Sequence, residues 1–452
     1  MSDEQSQTAA PESEAGAPTE LGLDDALAYA IRLHRLGEAD AALTLYQRIL
    51  DAVPDHPDAL NFLGIAKHQR GEAAEAIALM QRSLAIAPEA ANVWNNLGNM
   101  LVDAGRFDEA GAAYERCAAL NPGEPQLYNN LGVLRRSQQR PQDAEAAYLK
   151  ALELDPKLAE THSNLANLYG STGRIEDAVR HYFEAIVLMP YNPSARRMLG
   201  LAYYSLGRVE DAAAVYREWL LQEPDSQAAR HHLAACTGVD VPARASDIYV
   251  ESTFDGFASS FEVKLAALTY RAPELIAQTL AALYGEPAAR LSALDAGCGT
   301  GLCGALVKPW TAWIEGVDLS TGMLTLAKAK DVYRGLFRCE LTEFLEAYRE
   351  RWDVVLSADT LCYFGELDAV CRAAFAALKP GGHLIFTVES LAEGAAGPWL
   401  LQPHGRYAHA AAYVAETLAA CGFADVRLTA ADLRTEGGKP VRGSIAVARK
   451  PE

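Results

Sequence analysis

From Leu23 the chain repeats itself every 34 residues, six times, without an insertion. The units start at Leu23, Pro57, Ala91, Pro125, Ala159 and Pro193. Each carries a small residue eight positions in (Ala30, Gly64, Gly98, Gly132, Ala166, Gly200) and a proline at its close (Pro54, Pro88, Pro122, Pro156, Pro190, Pro224). Alanine recurs at Ala42, Ala76, Ala110, Ala144, Ala178 and Ala212, and tyrosine at Tyr46, Tyr114, Tyr148, Tyr182 and Tyr216. Small residues let two helices approach closely, and a proline ends the second. A strict period of this length is the signature of stacked helical pairs, each burying its apolar face against its neighbours. Residues 227–236 then read as a closing helix over the last apolar face, so the array spans 23–236.

This pattern resembles the tetratricopeptide repeat, an α/α superhelix whose first helices line a concave surface. Asn96, Asn130 and Asn164 stand in register on those helices, each just before a Leu-Gly or Leu-Ala. An amide offers donors and an acceptor, so such a ladder suits the backbone of an extended peptide. The N-N-L-G-N spelling resembles the peptide-binding arrays of protein O-GlcNAc transferases. The same amides are equally suited to bracing neighbouring repeats. The expected partner is a protein or peptide substrate in the groove; the alternative uses of the array are homodimerisation and tethering.

Residues 1–22 are polar, acidic and rich in Ala, Pro and Ser. They lack the basic and apolar segments of a signal peptide and read as a disordered tail. No apolar run reaches the length of a membrane span. A net charge of −19 argues against a nucleic-acid partner. The eight cysteines show no metal-like spacing and read as reduced thiols of a cytoplasmic protein. Residues 237–246 form a linker to a second domain, 247–452.

That domain opens its chemistry at LSALDAGCGTG (291–301), an apolar strand running into a glycine turn, followed by a second strand ending on Asp318. Glycines there let a ligand approach the backbone, and an acid about 20 residues on can accept both hydroxyls of a ribose. The G-x-G-x-G spacing of Gly297, Gly299 and Gly301, with Asp295 two residues ahead, differs from the dinucleotide fingerprint. It resembles the first motif of class I S-adenosylmethionine-dependent methyltransferases. DLSTGMLTLAK (318–328), WDVVLSADTLCYF (352–364) and ALKPGGHLIFTVE (377–389) are similar to later motifs of that family, in order. The resemblance implies an α/β Rossmann-like, seven-stranded sheet binding S-adenosyl-L-methionine, with 423–430 and 440–449 as its last two strands. It places Asp295 near the methionine ammonium, Asp318 on the ribose, Leu319 and Met323 around the adenine, and Glu340 near its amino group. Together with GRYAHAAAYV (405–414), residues 248–280 resemble a bacterial subfamily in which tetratricopeptide repeats precede a methyltransferase. The segment should be helical and cover the cofactor mouth, with Phe254, Phe257 and Phe261 as its wall.

Methyl transfer asks a protein to position the nucleophile and remove its proton; it needs no metal. Candidates follow the fourth strand (Asp359, Thr360, Tyr363) or lie after the fifth (Arg406, Tyr407, His409). His409 would serve as base, Asp359 and Tyr363 as catalytic neighbours, Arg406 and Tyr407 as substrate contacts. Ser-Ala-Asp-Thr at 357–360 is not the Asn/Asp-Pro-Pro-Tyr of enzymes that methylate amide or base nitrogens. The expected enzyme is thus a methyltransferase with a recognition array, acting on a protein or peptide. A metabolite methyltransferase, free or carrier-bound in its substrate, and a non-catalytic scaffold are the other readings.

Overall fold

The computed structural model describes residues 22–256, 258, 261–392, 394–436 and 439–452, together with the backbone but not the side chains of 263, 264 and 267. Phe257 and the expected tail through residue 21 lie outside the described residues. The chain divides into two compact units, Met1–Leu168 and Tyr169–Glu452.

In the first unit the helices come in pairs, as the period predicts: α1 Leu23–Arg35 with α2 Ala39–Ala52, α3 Pro57–Gln69 with α4 Ala73–Ile86, α5 Ala91–Asp103 with α6 Phe107–Leu120, and α7 Pro125–Ser137 with α8 Pro141–Leu154. Helix α9, Ala159–Ser171, follows and crosses into the second unit. The recurring tyrosines explain the recurring small residues. Tyr114 and Tyr148 are buried, each packed against the glycine of the preceding helix, so a Cβ on Gly98 or Gly132 would overlap the ring. Gly132→Leu is therefore expected to lower stability by about 1–3 kcal/mol through overpacking, read as an earlier thermal transition. An unchanged transition would mean that the ring is not pinned there.

The second unit continues with α10 Ile175–Leu188, α11 Pro193–Ser205, α12 Val209–Gln222 and α13 Gln227–Thr237, the expected closing helix. Ser226 caps α13, accepting from the Ala229 amide. After the segment 238–246 come α14 Asp247–Asp255, α15 Phe261–Ala267 and α16 Ala272–Tyr284. The described residues of 248–280 are thus mostly helical, as expected, with a break between α15 and α16 at Thr269, whose φ is +51°.

Strands and helices then alternate: β1 Leu291–Ala296, α17 Leu302–Val307, β2 Thr311–Asp318, α18 Thr321–Ala329, β3 Gly335–Arg338, α19 Leu341–Glu346, β4 Trp352–Ser357, α20 Asp368–Ala377, β5 Leu378–Ser390, β6 Trp399–Leu401, β7 Tyr407–His409, α21 Ala411–Ala420, β8 Ala424–Glu436 and β9 Lys439–Arg449. Every residue of β1 is buried, as befits a parallel strand covered on both faces. Strands β3-β2-β1-β4-β5 run parallel in that order, and β9 adds antiparallel to β5, with β8 outside it. These seven strands are the Rossmann-like sheet the motifs imply. Two more form a short ribbon: β7 runs parallel to the end of β5 (Glu389 opposite Ala408), and β6 pairs antiparallel with β7. No helix among the described residues is long and apolar enough to cross a membrane.

Candidate active site

A cavity of about 1110 Å³, its open mouth included, lies at the carboxyl ends of β1, β2 and β4, where ligands bind in open α/β sheets. Its floor is the turn after β1. Gly297 is at φ +78°, and a Cβ on it would overlap Thr360, whose hydroxyl donates to the Gly297 carbonyl at 3.2 Å. Gly299 is at φ +52°, and among the described residues only the edge of Phe261 comes within 4 Å of a notional Cβ. The turn is thus bare backbone on its cavity side.

Asp318 holds this turn. One carboxylate oxygen accepts from the Gly299 amide and the other from the Ser320 amide, both at 2.9 Å. Burial pushes its pKa up, against those backbone donors. A carboxylate has about four acceptor sites, and two are occupied, so Asp318 retains capacity for a pair of hydroxyls. Leu319 and Glu340 join it on the wall. The Glu340 carboxylate caps α19, accepting from the Glu343 amide at 2.9 Å.

Three expected cofactor residues, Met323, Asp295 and Gly301, stand off the cavity wall. Met323 is buried and off the cavity wall. Ser320 caps α18 through the Met323 amide, and the turn of helix that follows carries the Met323 side chain into the core. Asp295 lies beneath the glycine turn, also off the wall. Tyr333 donates to its Oδ2 at 2.6 Å, while no group among the described residues makes a hydrogen bond to Oδ1. Burial raises its pKa to about 6, offset in part by Tyr333 and the Gly304 amide. Gly301, at φ +87°, starts α17, and its notional Cβ meets Tyr333 rather than the cavity. Gly301 and Asp295 therefore shape the turn from below.

The mouth is walled by Phe254 and Phe261, as expected, their ring centroids 6.0 Å apart. Their segment is latched to helix α18: Asp255 accepts from the Ser320 hydroxyl and from the Gly322 amide at 3.1 Å, and Lys330 pairs with Glu262 at 2.7 Å.

At the far end the structure brings Asp359, Tyr363 and Arg406 together with residues that sequence reasoning missed. Arg434 is buried at 2% exposure and bonds three carboxylates: Asp359 at 3.2 Å, Glu436 at 2.6 Å, and Glu389. Arg406 reaches Glu389 at 3.4 Å, Glu436 at 3.3 Å and the Tyr363 hydroxyl at 3.5 Å. Asp359 has φ +53°; its amide donates to the Thr387 hydroxyl, which donates back to its Oδ1, both at 2.8 Å. Burial raises the Asp359 pKa, opposed by Arg434, Arg406 and Thr387. On Glu389 burial also works upward, but the arginines and His404 win and hold it low. One signal for Glu389 was in the sequence, an acid ending an apolar strand. Nothing local marked Arg434.

His409 and Tyr407 are not part of this end. His409 is buried at 1% exposure and lies off the cavity wall. Its Nε2 donates to the Gly365 carbonyl at 3.2 Å, and burial lowers its pKa to about 4. Strand pairing with β5 fixes it as a neutral core ring rather than a base. Tyr407, fully buried, donates to the Pro242 carbonyl at 2.8 Å, so its hydroxyl is spent within the fold.

The asparagine ladder, in the first unit, braces repeats. The side-chain nitrogens of Asn96, Asn130 and Asn164 donate to the amide oxygens of Asn61, Asn95 and Asn129 of the preceding repeat, at 3.2, 3.0 and 3.1 Å. Each remains half-buried, with one of its two N–H groups committed. Among the described residues no cluster of side chains is arranged to hold a metal ion.

The family model of the Cilia and flagella-associated protein 70 C-terminal domain matches residues 2–236, about half of the chain, and that of a methyltransferase domain matches residues 294–386. Methyltransferase-like protein 27 of Homo sapiens is 35% identical over 140 residues, 30% of this chain and 56% of that protein. The malonyl-(acyl-carrier protein) O-methyltransferase of Priestia megaterium is 30% identical over 144 residues, 30% of this chain and 50% of that protein. The biotin biosynthesis bifunctional protein BioHC of Saccharophagus degradans is 29% identical over 152 residues, 32% of this chain and 26% of that protein. The chain therefore spans about half or less of the length of these curated relatives. Among solved structures, Pseudomonas aeruginosa pilF superposes with a TM-score of 0.41 at 19% identity, covering 47% of this chain and 96% of that one.

Proposed function

Since the chain belongs to the tetratricopeptide-repeat family of the Cilia and flagella-associated protein 70 C-terminal domain and carries a methyltransferase domain behind it, we propose that it transfers a methyl group from S-adenosyl-L-methionine to an acceptor presented on a protein or peptide. One observation carries this reading: a single cavity joins the bare glycine turn and Asp318 to the charged end formed by Asp359, Tyr363 and Arg406. The residues present fit the cofactor. Asp318 has acceptor sites for a ribose diol, Leu319 and Glu340 flank the place for an adenine, and Gly299 leaves the backbone open.

Bound there, the cofactor supplies an electrophilic methyl on a good, neutral leaving group. The protein's share is positioning and exclusion of water. Phe254 and Phe261 cover the mouth, and Arg406 and Tyr363 orient the acceptor. At this end Asp359 is the only carboxylate on the wall among the described residues, and both its oxygens are engaged, by Thr387 and Arg434. The acceptor that suits such a site arrives already deprotonated. The O-methyltransferase relative, by its name, methylates an oxygen on a carrier-held acyl group, which agrees with an acceptor delivered on a protein. A second reading, a free metabolite as acceptor, draws support from the asparagines, whose donors are turned on one another.

Two measurements test this. Calorimetry on the full chain should show S-adenosylhomocysteine binding that Asp318→Ala weakens by about 1.5–3 kcal/mol, the range for hydrogen bonds to a charged group. Equal affinity in a folded variant would remove Asp318 from the site. Tritiated methyl transfer in lysate, separated by size, distinguishes a macromolecular acceptor from a metabolite.

A further inference from the structure

We infer that His231 and His232, on the helix that closes the repeat array, are positioning residues for the acceptor end, because they hold the backbone of the turn that carries Arg406. This rests on the proposed methyltransferase reading, in which Arg406 faces the acceptor.

The turn joins β6 to β7 and runs through Pro403, His404, Gly405 and Arg406. Within itself it has two backbone bonds, Gln402 amide to Arg406 carbonyl and Gly405 amide to Gln402 carbonyl, both at 2.8 Å. Its other backbone anchors come from α13. His231 Nε2 donates to the Gly405 carbonyl at 2.9 Å, and His232 Nδ1 donates to the Pro403 carbonyl at 3.2 Å. The tautomers agree with their surroundings: with its proton on Nδ1, His232 leaves Nε2 bare to accept the Tyr249 hydroxyl at 3.4 Å. The Tyr249 ring in turn stacks on His231, centroids 4.3 Å apart. Gly405, at φ +91°, has no room for a side chain; a Cβ there would overlap the Tyr249 hydroxyl. Helices α13 and α14 thus form a notch that fits this turn closely.

The consequence is specific to one end of the cavity. Asp318 and the glycine turn stand on β1 and β2, away from these contacts, whereas Arg406 is the residue next to Gly405. Burial lowers the pKa of both imidazoles, that of His232 to about 3, so each ring stays neutral with one N–H to give. Losing one buried N–H···O bond leaves the carbonyl unsatisfied and releases the turn, and Arg406 with it. The last helix of the array is, on this view, a support for the reaction site and not merely the end of a binding surface.

The test uses the full chain. His231→Phe keeps the ring stacked on Tyr249 and removes the donor. Amide hydrogen exchange at 402–406 should accelerate by about tenfold, the equivalent of one such bond. Tritiated methyl transfer to lysate acceptors should fall by a similar factor, while S-adenosylhomocysteine affinity stays within about twofold. His231→Gln, whose amide can place an N–H near the lost one, should restore both. Unchanged exchange at 402–406 in folded His231→Phe would overturn the inference, as would lost activity that Gln does not rescue. Should His231→Phe fail to fold, Gly405→Ala pushes the turn out of the same notch, against Tyr249 and His232, and must give the same pattern. Failure of wild type to bind S-adenosylhomocysteine would sink the methyltransferase reading instead, and the exchange measurement would still decide whether the histidines hold the turn.

Discussion

Arg434→Met is expected to destabilise the second unit by about 3–5 kcal/mol, the cost of removing one partner from a buried ion cluster. Three carboxylates meet this guanidinium, through Nε, Nη1 and Nη2 separately. That fork geometry belongs to arginine; Arg434→Lys, with a point charge, should recover only part of the loss. Without Arg434 the burial of Glu389 goes uncompensated, and its pKa should rise from its present low value through the carboxylate range. Urea unfolding of the full chain, read at a sheet tryptophan such as Trp352, measures the first effect. A loss below about 1 kcal/mol, the scale of an exposed pair, would show that the carboxylates simply protonate or relax.

His409 gives the second large effect, through pH. Its folded pKa of about 4 lies below the ordinary histidine value of about 6.5. The unfolded chain therefore binds a proton that the folded chain refuses, and stability contributed by the neutral ring is present above about 6.5 and lost as pH falls toward 4. Other buried groups titrate in this range, so the comparison must be with a variant. His409→Gln keeps a donor for the Gly365 carbonyl and does not titrate. Wild type should lose its advantage over it by about 1.4 kcal/mol per pH unit, about 3 kcal/mol in all. A pH-independent gap would put the imidazole in contact with water and reopen its candidacy as a base.

What the sequence disclosed depended on distance along the chain. The repeats were legible because a small residue and the side chain that covers it, most often a tyrosine, sit on the two helices of one pair, so the pairing recurs within every period. Gly297, Gly299 and Asp318 were legible because a strand, a turn and a strand are contiguous. Met323 was misplaced because it sits one turn into α18, where the serine cap, not the neighbouring Leu319, sets its direction. His409 and Tyr407 were misread because polar side chains after the fifth strand look like a lid until the β5–β7 pairing turns them inward. Arg434 was invisible: it meets Asp359 from 75 residues away on a strand that runs six residues beyond the expected end at 430. Tyr333, 38 residues from Asp295, is a similar case.

The division between Leu168 and Tyr169 falls inside α9, six residues short of α10. Were this protein assembled by gene fusion, the seam visible in sequence, 237–246, would not be where its parts separate. A hybrid that exchanged everything before residue 237 for a foreign array would delete the imidazoles that grip 403–405 along with the old repeats. The part that travels as a block is α10 onward, with the α9–α10 turn at 172–174 as the natural splice point. Arrays grafted there can differ in length and groove chemistry upstream while bringing none of the reaction site with them. Ligand preference and turnover can then diverge independently among fusions made at that position, and become entangled among those made at 237.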